Sequence, residues 1–368
     1  MKRVLIDVNS VVPYYALGQM VGIGRTTMEL VHALDQLPDL PIDIHLYSQN
    51  MKGIGGRDLH TRFPVHHLYL PYREKWNRVL QHLPVVEWMT GYDLLHIPHN
   101  FAYVHRPERC IVTIHDTLFF SHPEGALDHE FTRTHCPRLA QRCRAILTCS
   151  ECSKRDIVRY MNVPEEKIHV VYWGIDRNIL YPRPKAANHY CGNSPYFISA
   201  SCSTGRKNTP NLIRAFERFA RNHPEHHLIL VWRTPPREVI ELSDQPPLRG
   251  RLHFARNISN EELATLYSGA TATFFPSRYE GFGLPVLESM AAGTPVVTCR
   301  NSSLEEVGGD AALYVDPDDI EGMASLMEQF ENNSLPYDAL RSKGLLQASR
   351  FDWKTAARQT LSVYQQYL

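Results

Sequence analysis

No excess of either charge marks this chain of 368 residues: Lys and Arg together number 39, and so do Asp and Glu. A chain whose main partner is nucleic acid usually carries a basic surplus, so that partner class is not expected. No apolar run approaches the roughly 20 residues that cross a bilayer. The opening MKRVLIDVN sets two basic residues before an apolar stretch, but Asp7 interrupts it and no small-residue cleavage site follows. It reads as a first strand, not a signal peptide. A disulfide framework is missing too: the eight cysteines are scattered, as in a reduced, cytoplasmic protein. Cys149-Ser-Glu-Cys152 is a lone C-x-x-C with no second pair, and reads as two buried thiols. The dinucleotide fingerprint G-x-G-x-x-G is incomplete. Gly22 and Gly24 stand in VGIGRTT, but Thr27 takes the third glycine's place and a long loop follows the first strand, which argues against a nicotinamide-dependent oxidoreductase.

What is present is alternation. The length exceeds one ordinary core, so two domains are expected. In the first half VLIDV (4–8), IDIHLYS, DLLHIP (93–98), IVTIHD (111–116) and AILTCS (145–150) read as strands, with a helix from about Arg25 to Leu37. That order predicts a doubly wound parallel sheet. The pattern breaks over Asp176 to Asn193, rich in Pro and Asn, which reads as an interdomain linker. It restarts with YFISAS, a helix over NLIRAFERFARN, then HLILVW, RLHFA, ATATFF and TPVVTC, and closes on a helix over FDWKTAARQTLSVYQQYL. Two Rossmann-like halves of this kind would hold a ligand in the cleft between them.

The stretch 278-RYEGFGLPVLESMAAGTPVV-297 is the most informative. Pro285 suits a first helical position and Gly293 suits the place just past a helix end, so a helix spans about Pro285 to Ala292 between two buried strands. The turn before it opens at the carboxyl edge of the sheet, where open α/β sheets bind ligands. There the N–H groups of Phe282, Gly283 and Leu284 would favour an anion. Glu288, one turn into the helix, is suited to accept hydrogen bonds from sugar or ribose hydroxyls, and Glu280 lies in the turn itself. The stretch therefore reads as a site for a phosphate carrying hydroxyl-rich rings. Elsewhere, 72-YREKWNRVLQHL-83 has Trp76, Val79, Leu80 and Leu83 at helical spacing, with Arg73, Lys75 and Arg78 mainly outside that stripe. Such a helix fits either an anionic membrane surface or a domain core.

Glu280-x7-Glu288, with IHD at 114–116 and GRKN at 205–208, resembles the retaining, nucleotide-sugar-dependent glycosyltransferases of the GT-B fold, family 4. GIGRTTMELVHAL, CSECSKRDI, VVYWGID, ISNEELATLYSGA and EEVGGDAALYVDPDD follow in family order, so the resemblance covers nearly the whole chain. It implies an acceptor-side domain over 1–180, joined by the closing helix 351–368, and a nucleotide-sugar-binding domain over 190–350. It implies that Glu280 contacts the transferred sugar, that Glu288 holds ribose hydroxyls, and that Arg206 and Lys207 neutralise the diphosphate leaving group. It sets His115 over the donor sugar, and Gly22 and Gly24 in a loop that admits the diphosphate and acceptor. Asp116 more naturally organises its loop than acts as a base. Two departures stand out. Ser201 takes a place where many relatives have arginine, and Trp232 and Arg233 follow the strand HLILVW where relatives often carry lysine or glycines.

The implied reaction moves a hexose from a nucleoside diphosphate sugar to an acceptor hydroxyl with retained configuration, without a metal or other cofactor, since no D-x-D run occupies a likely donor loop. GDP-mannose is the first donor expected, with UDP- and dTDP-sugars as alternatives; a GT-B nucleotide-sugar epimerase and a catalytically silent binding subunit are the rival readings. The acceptor implied is a glycan or lipid-linked saccharide of lipopolysaccharide, capsule or exopolysaccharide. The expected location is the cytoplasm, peripheral on the inner face of the membrane through 72–83.

Overall fold

The structure is a computed structural model that describes residues 1–11, 22–49, 59–68, 78–79, 82–122 and 128–368. The chain divides into two compact units, residues 1–174 with 352–368, and residues 175–351.

In the first unit the strands are β1 (Arg3–Asp7), β2 (Asp43–Gln49), β3 (Val65–Leu68), β4 (Leu94–Ile97), β5 (Cys110–Thr113), β6 (Ala145–Thr148) and β7 (Ile168–Val170). They lie in the order β3-β2-β1-β4-β5-β6-β7, each pair parallel. β4, β5 and β6 are buried at every residue, which explains why they read as mainly apolar runs, broken only by His96, Thr113 and Thr148, rather than as alternating patterns. In the second unit β8 (Tyr196–Ala200), β9 (His227–Val231), β10 (Leu252–Ala255), β11 (Ala272–Phe274), β12 (Val296–Thr298) and β13 (Ala312–Tyr314) form a sheet in the order β10-β9-β8-β11-β12-β13, again all parallel. Each sheet reverses its strand order once, between β1 and β4 and between β8 and β11, so both units are doubly wound as expected.

Helix ends follow local chemistry. Ser150 caps helix Glu151–Met161 by accepting from Ser153 N at 3.0 Å, and Ser259 caps Asn260–Gly269 by accepting from Glu262 N at 3.1 Å. The closing helix Trp353–Tyr367 is capped by Asp352, which accepts from Thr355 N at 3.0 Å. Its buried residues Ala356, Ala357, Thr360, Val363 and Tyr364 fall on one face, and all but Thr360 join Met28, Val31 and Leu34 of helix Gly22–Asp35 in one core. The Tyr364 hydroxyl meets His96 Nδ1 at 2.6 Å, and His96 Nε2 meets Thr113 Oγ1 at 2.8 Å. Burial lowers the His96 pKa to about 3, so the ring is neutral and links the last helix to β4 and β5 through satisfied hydrogen bonds.

Two stretches differ from their reading in the sequence. The helix expected from Arg25 begins at Gly22, so Gly22 and Gly24 lie in its first turn, not in a loop; a helix tolerates glycine there because the first N–H groups have no intrahelical partner. The Pro- and Asn-rich stretch from Asp176, expected as a linker, is tied into the second unit. Arg183 N donates to Ser268 Oγ at 3.2 Å, its guanidinium reaches Glu261 O at 2.9 Å, and Arg177 reaches Ala348 O at 3.1 Å. Side chain-to-backbone bonds replace a regular ladder there, which propensity does not register. Of the expected helix 72–83, residues 72–77 and 80–81 lie outside the described residues. Val79 and Leu83 are 55% and 47% exposed.

The chain leaves the first unit after Gly174 and re-enters it at Asp352. A Cβ on Gly174 would stand 2.2 Å from Trp353 N and 2.4 Å from the Asp352 carbonyl carbon, so only glycine allows the two backbones to approach. Gly174→Ala should therefore cost about 3 kcal/mol, the upper range for forcing an added methyl group into a filled site. Differential scanning calorimetry reads this as a lowered Tm; an unchanged Tm would mean that the approach relaxes freely.

Candidate active site

The order reversal between β8 and β11 leaves an opening at the carboxyl edge of the second sheet, and two loops fill it: 201–208 after β8 and 275–283 after β11. They are bound together. Arg278 N donates to Arg206 O at 2.8 Å, and the Arg206 guanidinium donates to Tyr279 O at 2.9 Å. Asn208, at φ 57°, is left-handed, a conformation asparagine tolerates better than most residues. Its amide donates to Pro276 O at 3.2 Å and also to Pro317 O, beyond β13, while its Oδ1 accepts from Arg278. Arg278 in turn forks onto Asp318, with one contact of 2.8 Å. Asn208 and Arg278 thus clamp three loops. Neither was assigned a role from the sequence, and the only local signal was the place of Asn208 within GRKN.

Glu280 sits at the centre. Its Oε1 lies 2.7 Å from Arg206 Nη1 and 2.7 Å from Lys207 Nζ, and it accepts from Ser277 Oγ at 2.6 Å. Its side chain is only 9% exposed, with Arg206 at 19% and Lys207 at 14%. Burial by itself would raise the carboxyl pKa, but the Lys207 and Arg206 charges outweigh it and hold Glu280 below the usual carboxylate range. Burial also lowers the Lys207 pKa, against the pull of Glu280. Lys207 Nζ lies 4.8 Å from the centroid of the Phe275 ring, a second source of cation stabilisation. The resemblance set Arg206 and Lys207 against a diphosphate. Here both meet Glu280, because a desolvated cation requires a close counter-charge. Two cations and one carboxylate leave the cluster with a formal surplus of one positive charge.

The turn after Glu280 is fixed by two serines that follow β12 and immediately precede helix Leu304–Gly308. Ser303 Oγ donates to Glu280 O at 2.8 Å and to Phe282 O at 2.9 Å, and Glu280 N donates to Ser302 Oγ at 3.2 Å. Gly283, at φ 105°, precedes helix Leu284–Ala291, and a Cβ there would lie 2.7 Å from Leu304 Cδ2. The Phe282 ring packs against Phe351 at 5.8 Å, so any part it takes with a ligand falls to its backbone. Glu288 lies within the helix, 3% exposed, and accepts from the Tyr267 hydroxyl at 3.4 Å.

In the first unit, His115 follows β5. It is 5% exposed; its N–H donates to Asn100 Oδ1 at 3.1 Å, and Nε2 donates to Pro98 O at 2.9 Å. Nδ1 is then the unprotonated nitrogen; it is buried and has no hydrogen-bond partner. Burial lowers the ring's pKa to about 4, so it is neutral at pH 7. The residue borders a cavity of about 30 Å³, also lined by Thr26, Thr27, Trp173 and Thr360, enough for a water molecule. At the β1–β4 reversal, Asp7 is 2% exposed, accepts from Asn9 N at 2.7 Å and pairs with His99 at 3.3 Å. This pair was missed in the sequence, although Asp7 at a strand's carboxyl end was a usable signal. Among the described residues, no group of three or more His, Cys, Asp or Glu side chains is placed to hold a metal ion.

Comparison with known proteins bears on the family and the fold. The profile of the Glycosyl transferases group 1 family matches residues 186–346, and that of Glycosyltransferase Family 4 matches residues 20–178. The chain is 29% identical over 285 residues to the O-antigen chain mannosyltransferase B of Escherichia coli, covering 74% of each. It is 31% identical over 233 residues to an MMP alpha-(1->4)-mannosyltransferase of Mycolicibacterium hassiacum, covering 62% of this chain but only 55% of that relative. The sucrose-phosphate synthase of Thermosynechococcus elongatus superimposes with a TM-score of 0.74 at 18% identity, over 100% of this chain and 99% of its own, a likeness of fold.

Because the folded-state pKa of Glu280 is depressed, its ion pairs stabilise the protein above the carboxyl's unfolded value near 4.5, and that contribution is lost as pH falls through the folded value. Glu280→Gln removes the anion and leaves Arg206 and Lys207 facing each other, which should cost about 3 kcal/mol at pH 7. Urea unfolding of both proteins at pH 7 and at pH 4 or lower tests this: the gap should be widest at neutral pH and narrow in acid.

Proposed function

We propose that this chain, which belongs to the glycosyl transferases of group 1 and family 4 and has the GT-B fold, transfers a mannosyl group from GDP-mannose, with retention at the anomeric carbon, to a hydroxyl of a surface-polysaccharide acceptor. The observation that carries this reading is the buried Arg206–Lys207–Glu280 cluster beside the N-terminus of helix Leu284–Ala291. A positive surplus and a helix dipole converge there, as a departing nucleoside diphosphate requires. The mannose and polysaccharide parts rest on relatives named as mannosyltransferases, two of them for O-antigen.

In the proposed step the acceptor oxygen bonds to the anomeric carbon while the bond from that carbon to the β-phosphate oxygen breaks, its electron pair staying on the phosphate. The acceptor proton passes to that same phosphate oxygen on the attacking face. Lys207 and Arg206 shift part of their charge from Glu280 to the phosphate as the new negative charge forms, and Glu280 is freed to accept a sugar hydroxyl. Glu288 holds the ribose hydroxyls, and the backbone of Phe282, Gly283 and Leu284 receives a phosphate. His115 is neutral and offers Nδ1 as an acceptor, not as an acid. No metal takes part in this scheme. Acceptor and enzyme would meet at the cytoplasmic face of the membrane, through 72–83.

Two measurements check the proposal. GDP and GDP-mannose, with EDTA present, should raise the Tm more than UDP, dTDP, ADP or their sugar conjugates, since a ligand that binds only the native state stabilises it by mass action. Equal or absent shifts would remove the donor assignment. Lys207→Ala should lower kcat by about 100-fold with little change in KM for the donor, the signature of an interaction made chiefly in the transition state. A raised KM at unchanged kcat would contradict that role.

A further inference from the structure

The first unit holds a second opening, lined in part by Arg78 and His82 of the stretch 72–83. Among the described residues, a groove of about 490 Å³ is lined by Arg78, His82, Tyr103, His135, Arg138 and Arg142, on a floor of the 101–107 loop; no Asp or Glu lines it. The volume is that of an ordinary small-molecule site.

Its chemistry is one-sided. His135, Arg138 and Arg142 stand three and seven residues apart along helix Asp128–Arg142, so they share a face. Arg138 and Arg142 are exposed, and among the described residues neither makes an ion pair or a hydrogen bond. Like charges one helical turn apart are mildly destabilising, and a bound anion would relieve that repulsion. Beside them lies an aromatic cluster: the Phe131 and His135 rings stack at 4.1 Å, and Phe101 meets Tyr103 edge to face at 5.0 Å. The Tyr103 hydroxyl is buried within this wall and has no hydrogen-bond partner, which leaves a donor unsatisfied beside the groove. Forked guanidinium groups recognise phosphate oxygens, and an aromatic wall with one hydroxyl suits a sugar ring.

We infer that this groove binds a phosphorylated saccharide, with Arg138 and Arg142 on the phosphate and the Tyr103 hydroxyl on the sugar. On the proposed glycosyltransferase reading, on which this assignment of the occupant rests, the ligand is the anionic end of the acceptor, held apart from the reacting hydroxyl. Arg138 and Arg142 are then specificity-determining residues for the acceptor and have no part in donor binding.

The test is calorimetric titration of the full chain with glucose 1-phosphate, with methyl α-mannoside as the uncharged control, and flotation with phosphatidylcholine vesicles with and without phosphatidylglycerol. The double variant Arg138→Gln/Arg142→Gln should weaken glucose 1-phosphate binding about 10-fold or more, since charge-assisted bidentate contacts are lost. Tyr103→Phe should weaken it further. Lys354→Gln/Arg358→Gln, which removes the same charge from the exposed face of the closing helix, should bind as the unaltered protein does. Equal weakening by both double variants would mean general electrostatics and overturn the site. Loss of vesicle binding without any binding of glucose 1-phosphate would overturn it in favour of a lipid surface. Nucleotide-induced Tm shifts are read on the same proteins. If they persist while glucose 1-phosphate fails to bind, the groove assignment falls and the donor reading stands; if glucose 1-phosphate binds through Arg138 and Arg142 but no nucleotide does, the donor reading falls and the groove stands.

Discussion

A strand that pairs in parallel with its neighbour cannot be joined to it by a tight turn; the chain must cross back, and in these sheets it does so through helices and long loops. All the pairings in both sheets are parallel, so every strand-to-helix loop of a unit gathers at the carboxyl edge of its sheet. Where the strand order reverses, the loops diverge to opposite faces and leave an opening. The Glu280 cluster occupies one such opening and the Asp7–His99 pair the other. The placement of chemistry thus follows from strand pairing, before any individual side chain is considered.

Within the second unit, the opening is held in shape by polar side chains that reach between loops. Asn208 and Arg278 bind three loops to one another, and Ser303 fastens the backbone on both sides of the Gly281 position. These contacts hold Glu280 where two cations can meet one oxygen. A buried carboxylate of this kind is stable only as part of its ion pairs, which couples the charge state of the site to the integrity of the loops. The first unit uses a different device. His96 and His115 are buried and neutral, and the Tyr364–His96–Thr113 chain ties the closing helix to the sheet next to the His115 loop.

Much of this architecture was legible from local pattern. Buried parallel strands are mainly apolar on both faces, so β5, β6, β11 and β12, and β4 apart from His96, appear in the sequence as short runs of Leu, Ile, Val, Ala, Cys, Thr and Phe between turn residues. The helix before Gly293 was legible from Pro285 near its start and from the glycine just past its end, which adopts φ 79°. Ends were less legible: Cys299 is fully buried yet lies past the end of β12, since hydrophobicity reports burial and not hydrogen bonding.

Sequence alone therefore determined the alternation of strands and helices, the doubly wound class, and the nearness of Glu280, the Gly-Phe-Gly turn and Glu288, because each depends on residues within a turn or two of one another. Tertiary structure alone decided that Arg206 and Lys207 meet Glu280, 74 and 73 positions away; that Tyr364 reaches His96; and that the stretch after Asp176 is bound to the second unit. It likewise brought Tyr103 beside Arg138 and Arg142. Propensity and periodicity act over a few residues, whereas a charge finds its counter-ion, or a hydroxyl its acceptor, only after the sheets have brought distant loops to one edge.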